Sequence, residues 1–357
     1  MKIKRLVIEE EVKDSPVVSH ALDVLSSGGV EIRYVSSLPS SLVSLDNGLY
    51  LLKYRGKFFK NCPGTMFYNC CGYKIIHIGE NCPLRCSYCI LKAYFRHNSL
   101  VVWANIWDLF EELSRIFASN RGIKFRCGTG EFTDSLALEW LTSYSSYLIE
   151  FLSDHPNVCL ELKSKVVDLS WVEKVKSPGQ VLPAWSVNSV DIVATEEKGA
   201  SSLEKRLQGA RRCAEMGFRV CLHFDPVIFY PGWEKGYSRT LEMIFDYLRP
   251  PDIAYLSIGS FRGMEELFEY IEENWPESNY IYWGEFIRGM DGKRRLFRPL
   301  RIEQFRFLVD RLKRWGLRRG IYFCMESDEV WRAVMGYTPS EIGGLSSYLK
   351  EIVFGGE

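Results

Sequence analysis

Asn81-Cys-Pro-Leu-Arg-Cys-Ser-Tyr-Cys89, entered from the short apolar run Lys74-Ile-Ile-His-Ile-Gly79, is the stretch that decides the fold. Cys82, Cys86 and Cys89 stand in C-x3-C-x2-C spacing, one thiolate short of the four that close an iron–sulfur site. A 4Fe–4S cluster held by three cysteines keeps one iron open to an outside ligand. A structural zinc knot is the alternative, and Cys86 with Cys89 does form a C-x2-C half-site. Zinc would want a matching second pair, and no clean one follows.

The spacing, with Tyr88 in the aromatic slot just before the third cysteine and an apolar strand leading in, resembles that of the radical S-adenosylmethionine (SAM) enzymes. The resemblance implies that the open iron takes the amino and carboxylate groups of SAM. Composition agrees with a globular chain: 357 residues, 46% hydrophobic and 25% charged, suggest one large domain or two to three smaller ones. No apolar run approaches the roughly 20 residues that span a bilayer. The N-terminus turns acidic at Glu9 and lacks a signal-peptide core, so no membrane partner is expected and the location expected is cytoplasmic. Eleven cysteines in that setting argue for reduced thiols and metal ligation rather than disulfides. Formal net charge is zero, so a nucleic-acid partner would need a local basic patch.

Residues 3–60 read as a small α/β unit: a strand from Ile3, a helix over Val17 to Leu25 stopped by Gly28-Gly29, a strand from Val30, and a loop around Pro39. From residue 74 strands near 74–78, 123–128, 157–162, 181–187, 218–225 and 252–258 alternate with helices such as Ile106–Phe117 and Leu203–Met216. That alternation implies parallel strands with crossover helices. Six such repeats fit the incomplete (β/α)6 barrel that the radical SAM resemblance implies, with chemistry at the C-terminal strand ends. The tail holds a hairpin over Gly284–Arg301 turning at Asp291-Gly292, a helix over Ile302–Trp315 and a last strand, Gly320–Met325. The expected division is an N-terminal unit over 1–65, the partial barrel over 66–286, and a C-terminal hairpin and helix extension over 287–357.

Polar residues fall at the strand ends. After the second strand, Gly128 and Gly130 would let the backbone approach a ligand, and Glu131 could accept a hydrogen bond from the ammonium of SAM. A lone Gly-x-Gly-Glu is usually a turn; one strand after the cysteines it matches the amino-group site of radical SAM proteins. Lys165 could pair with the SAM carboxylate or stand as a solvated charge. Ser186 and Asn188 could bind its ribose. His223 and Asp225 are candidates for contact with substrate or SAM, or are buried polar residues with satisfied partners. Arg262 is a candidate phosphate ligand or a surface ion-pair partner.

Lys60-Asn-Cys-Pro-Gly-Thr65, Cys70-Cys71-Gly72-Tyr73, Ile90-Leu-Lys-Ala-Tyr-Phe95, Thr133-Asp-Ser135, Trp185-Ser-Val-Asn188, His223-Phe-Asp-Pro226 and Cys324-Met-Glu-Ser327 together resemble the spore photoproduct lyase-like family over most of the chain. The resemblance implies an enzyme, a lyase that cleaves SAM reductively and abstracts hydrogen from C6 of a thymine-dimer lesion in DNA. It implies an outside electron donor such as flavodoxin or ferredoxin. It also places Lys165 and Ser186 where that family holds SAM, and Tyr88 on its active-site tyrosine. Two departures stand out: Phe132 occupies the position of a hydrogen-donating cysteine, and Ile90 that of a second tyrosine. Cys127 or Cys324 could substitute as the thiol, although a small buried hydrophobe is the ordinary role of a free cysteine. Cys62, Cys70 and Cys71 could hold a metal with Cys324 or simply pack, and stay unassigned. Gly292-Lys-Arg-Arg-Leu-Phe-Arg-Pro-Leu-Arg301 has five basic residues in ten, and the family places a DNA-contacting hairpin here. Lys293, Arg294, Arg295 and Arg298 are therefore candidate phosphate ligands, against the ordinary reading of a solvated charged face. The rival functions are radical SAM chemistry on a modified nucleotide, RNA or peptide, and a non-catalytic iron–sulfur protein.

Overall fold

The computed structural model describes residues 3–26, 28–37, 47–64 and 67–355. The loop expected around Pro39 lies outside them. Seven parallel strands, Lys74–Ile76, Phe125–Gly128, Val158–Ser164, Val181–Ser186, Val220–Val227, Ile253–Ser260 and Ile321–Phe323, lie side by side in chain order. The six expected strands are all present. The seventh is the tail strand, which pairs with Ile253–Ser260 through Leu256↔Ile321 and Ile258↔Phe323 and so belongs to the barrel sheet. Val181–Ser186 and Ile253–Ser260 are buried at every position. That is what a parallel sheet covered by helices on its outer face requires.

The covering helices follow from their periodicity. Ser202 caps Leu203–Glu215 by accepting the Lys205 amide, and Leu203, Leu207, Ala210 and Cys213 form its buried stripe. Arg298–Arg314 begins with Pro299 in its first turn, four residues ahead of the expected start at Ile302, and buries Phe305, Leu308, Val309 and Leu312.

A second sheet of five strands runs in the order Glu31–Val35, Arg5–Glu9, Gly48–Leu52, Val101–Trp103, Gly79–Glu80. Its last two strands lie beyond residue 65, while Phe59–Asn61 pairs antiparallel with the first barrel strand. The expected 65/66 boundary therefore runs through both sheets. The cut at 287 likewise severs the last barrel strand from its neighbours.

Because Phe59–Asn61 occupies the outer edge of Lys74–Ile76, the barrel sheet does not close on Ile321–Phe323. Residues 67–73 lie along that seam. The Asn69 amide donates to the Glu326 carbonyl at 2.9 Å, and Asn69 Nδ2 donates to Asp328 at 2.9 Å. On the other side, Arg126 Nη2 donates to the Cys71 carbonyl at 2.9 Å. At the tail, Phe286–Arg288 and Arg294–Leu296 form the expected hairpin, turned by Gly292 at φ +78°. A third strand, Arg262–Gly263, pairs with Arg294–Arg295 and ties the hairpin to the end of a barrel strand.

Candidate active site

A cavity of about 310 Å³ opens at the C-terminal ends of the barrel strands, lined in part by Cys82, Cys86, Cys89 and Tyr88. The cysteine loop is shaped by Asn81, which takes a left-handed φ of +64° and donates from Nδ2 to the carbonyls of His97 and Ser99 at 2.9 and 2.8 Å. It is pinned from behind by an antiparallel bridge between Arg85–Cys86 and Glu197–Lys198. Ser87 Oγ donates to Glu196 at 2.6 Å. The Tyr88 hydroxyl donates to Glu197, whose other oxygen pairs with Arg206, and Arg206 Nη1 reaches the Ser186 carbonyl at 2.9 Å. A buried ion pair thus links the cysteine loop to the end of the fourth barrel strand.

The donor set fits an iron–sulfur cluster. All three sulfurs face one cavity, and the Leu84 amide donates to Cys82 Sγ at 3.4 Å, a hydrogen bond that suits a ligating thiolate. Burial pushes the Cys86 thiol up to about 12, a value that a bound metal would reverse.

Glu131, Lys163, Lys165 and Ser186 line the same cavity. Glu131 pairs with Lys163 at 2.5 Å, and the Lys165 ammonium lies 5.6 Å from the Tyr88 ring centre. Asp134 shapes this wall by accepting the amides of Leu136, Ala137 and Lys165 at 2.8–3.0 Å. Gly130 also lines the cavity, and a Cβ there would meet the Lys163 carbonyl at 2.9 Å. Gly128 serves packing instead, because a Cβ on it would strike the Tyr73 hydroxyl and the Glu161 carbonyl. Asn188 is likewise a structural residue rather than a ribose ligand. It is buried, accepts from Tyr237 Oη at 2.7 Å and donates to the Pro226 carbonyl at 2.9 Å, which leaves it no reach into the cavity.

His223, Asp225 and Arg262 reach the cavity from the fifth and sixth strands. His223 Nδ1 meets Ser257 Oγ at 2.8 Å, and its Nε2 faces Glu161 at 3.4 Å without closing a hydrogen bond. Arg262 lies 3.6 Å from Asp225, and its Nη2 approaches Cys324 Sγ at 3.8 Å. Cys127 does not reach the cavity: it is fully buried and donates towards the Cys159 carbonyl at 3.6 Å, so it is a core residue. Of the two candidate replacement thiols, Cys324 alone lines the cavity. Phe132 stands in the wall with its ring stacked on Tyr94 at 5.6 Å and tilted against His77 at 4.7 Å.

The basic hairpin also departs from expectation. Arg295 is 2% exposed, paired with Asp291 at 2.7 Å and seated 3.8 Å over the Tyr68 ring. Arg294 pairs with Glu265 at 3.0 Å and lies 4.1 Å over Phe268. Arg295, buried in its pair, fastens the hairpin to the body instead of offering charge to a phosphate, while the Arg294 pair stays open to solvent. Lys293 lines the cavity, and Arg298 stands exposed at the start of its helix.

Sequence reading missed the floor of the site. Arg126 and Glu161 face each other at 3.7 Å, both buried, with Tyr255 donating to Glu161. Burial works against ionising Glu161, but the neighbouring His223 and Arg126 outweigh it and hold the carboxyl near 2. The signal was present, since a charged residue inside an otherwise apolar parallel strand has to find a buried partner.

The open parallel barrel, with its cysteine loop after the first strand and its cavity at the C-terminal strand ends, defines a radical SAM protein. A family profile for spore photoproduct lyase matches residues 70–280, and the chain belongs to the spore photoproduct lyase family. The spore photoproduct lyase of Geobacillus sp. (strain Y412MC61) is 22% identical over 291 residues, covering 77% of this chain and 83% of the relative. That of Bacillus subtilis (strain 168) is 21% identical over 289 residues, 76% and 82% of the two chains. A solved mutant spore photoproduct lyase with bound AdoMet and dinucleoside spore photoproduct shares the fold at a TM-score of 0.76 and 19% identity, over 91% of this chain and 99% of that one. A second, complexed with dinucleoside spore photoproduct, gives 0.75 over 90% and 98%.

Proposed function

We propose that the chain is a radical SAM lyase that repairs a pyrimidine-dimer-type lesion in DNA. The observation that carries the reading is the convergence of Cys82, Cys86 and Cys89 on one cavity with Glu131, Lys163, Lys165 and Ser186, inside a chain of this family. Cys82, Cys86 and Cys89 would hold the 4Fe–4S cluster. When bound, the cluster and SAM supply one-electron reduction and hydrogen-atom abstraction. The protein supplies orientation and exclusion of water. The Glu131–Lys163 pair and Lys165 offer both signs of charge to an amino-acid zwitterion, and Ser186 offers a hydroxyl to a ribose. Tyr88, Ile90, Tyr94, Phe132 and Phe261 give the cavity apolar walls that keep a reactive species from solvent. Arg262 and Lys293 are the cations for a lesion phosphate within the cavity. Outside it, Arg298 and the exposed rings of Trp283 and Phe297 suit phosphate contact and base stacking on an opened strand. A small redox protein such as flavodoxin or ferredoxin would deliver the electron.

Phe132 favours one second reading. A phenyl ring has no labile hydrogen to return to a product radical, so a substrate that needs no such return, such as a modified nucleotide, RNA or peptide, would suit this wall. The deciding experiment incubates the anaerobically reconstituted, dithionite-reduced protein with SAM and oligonucleotides irradiated dry or wet, with products identified by mass. Lesion reversal together with 5′-deoxyadenosine is expected. Abundant 5′-deoxyadenosine beside untouched lesions would transfer the reading to the other substrates, and none at all from a fully loaded cluster would sink the enzyme.

A further inference from the structure

Seven of the eleven cysteines line the cavity, and the cysteine loop accounts for only three of them. The others are Cys62, Cys70 and Cys71, from the segment beside the open side of the barrel, and Cys324, directly after the last barrel strand. Cys62 and Cys71 pack against the same small buried cluster of Tyr73, Ile75 and Phe132. All four cysteines are free thiols.

The turns that carry the bridge cysteines rest on two glycines. Gly72 sits at φ +68°, and a Cβ on Gly64 would press on Cys70 Sγ at 3.3 Å. Two cations border the corner: Arg126 Nη2 donates to the Cys71 carbonyl at 2.9 Å, and Arg262 Nη2 lies 3.8 Å from Cys324 Sγ. Four thiolates on iron carry excess negative charge, and these guanidinium groups are placed to offset it.

We propose that Cys62, Cys70, Cys71 and Cys324 hold a second iron–sulfur cluster, distinct from the one on Cys82, Cys86 and Cys89. A four-cysteine set takes either a 2Fe–2S or a 4Fe–4S group. The proposal does not depend on the substrate or on turnover.

The test uses the full chain carrying Cys82→Ala, Cys86→Ala and Cys89→Ala, reconstituted anaerobically with ferrous iron and sulfide. Iron and acid-labile sulfide of about two or four per chain are expected, with an electron paramagnetic resonance signal in the reduced state that SAM does not alter. Adding Cys62→Ser, Cys71→Ser and Cys324→Ser should abolish both. A folded triple-alanine protein without stoichiometric iron, or one that binds zinc in its place, overturns the proposal. Should that variant not fold, the wild-type chain is compared with Cys62→Ser/Cys324→Ser. Loss of about two or four irons per chain supports the second cluster, and an unchanged iron count overturns it.

Discussion

Replacing Arg206 by methionine removes the cation from the buried pair behind the cysteine loop. Both side chains are essentially inaccessible, at 0% for Arg206 and 1% for Glu197. Arg206 also donates to the carbonyls of Ser201 and Ser186, each at 2.9 Å. The substitution would leave a buried carboxylate with the Tyr88 hydroxyl as its remaining side-chain donor, and two carbonyls stripped of theirs. Breaking one partner of a buried ion pair costs about 3–5 kcal/mol. That is roughly two to three and a half powers of ten in the unfolding constant at about 1.4 kcal/mol per decade. The assay is urea unfolding of the metal-free, reduced protein, followed by tryptophan fluorescence. The double variant Arg206→Met/Glu197→Gln should recover a substantial part of the loss, because the stranded charge is gone even though the carbonyls stay unmatched. An Arg206→Met protein within about 1 kcal/mol of wild type, or a double variant no better than the single, would refute the reasoning, since a surface-like pair is worth no more than that.

Acidification should weaken the fold through His77. Burial, reinforced by the Lys60 charge, lowers this imidazole to about 3, despite Glu80 at 3.6 Å. The unfolded chain then binds a proton from about pH 6.5 downward that the folded chain refuses, so stability is full above that pH and falls towards 3; by pH 5 the loss is about 2 kcal/mol. Urea midpoints at pH 7 and 5 should show the drop, with His77→Gln flattening it and an equal slope in both proteins contradicting it. Arg295→Ala should lower stability by about 3–5 kcal/mol and leave the salt dependence of DNA binding alone. Arg298→Ala should instead spare stability and reduce the slope of log affinity against log salt by about one. The opposite assignment would return the phosphate contact to the hairpin. Glu131→Gln should weaken SAM binding to the reconstituted protein about 10-fold or more, as loss of a charge-assisted hydrogen bond does, and unchanged equilibrium dialysis would remove Glu131 from the SAM site.

The cysteine loop and the six alternating strands were legible because each rests on local pattern: fixed thiol spacing, and apolar runs cut by glycine. The Asp291-Gly292 turn was legible for the same reason. What the hairpin arginines do was not, since Asp291, Glu265 and Tyr68 meet them only after the sheet forms. Asn188 shows the same limit, as its partners Tyr237 and Pro226 lie 49 and 38 residues away. Gly128 looked like a ligand glycine because the sequence shows where a Cβ is missing but not which atom fills its place. The seventh strand was recognised as a strand, but its pairing with Ile253–Ser260 spans a hairpin and a 17-residue helix that no local period can bridge.

One wall of the pocket is a connecting segment and not a strand. Insertions or exchanges between residues 62 and 73 would alter no ladder register, so this side can be remodelled while the side that faces the cysteine loop stays fixed. Divergence among relatives in what they accept should therefore concentrate in that short bridge, leaving the machinery of radical generation inherited intact.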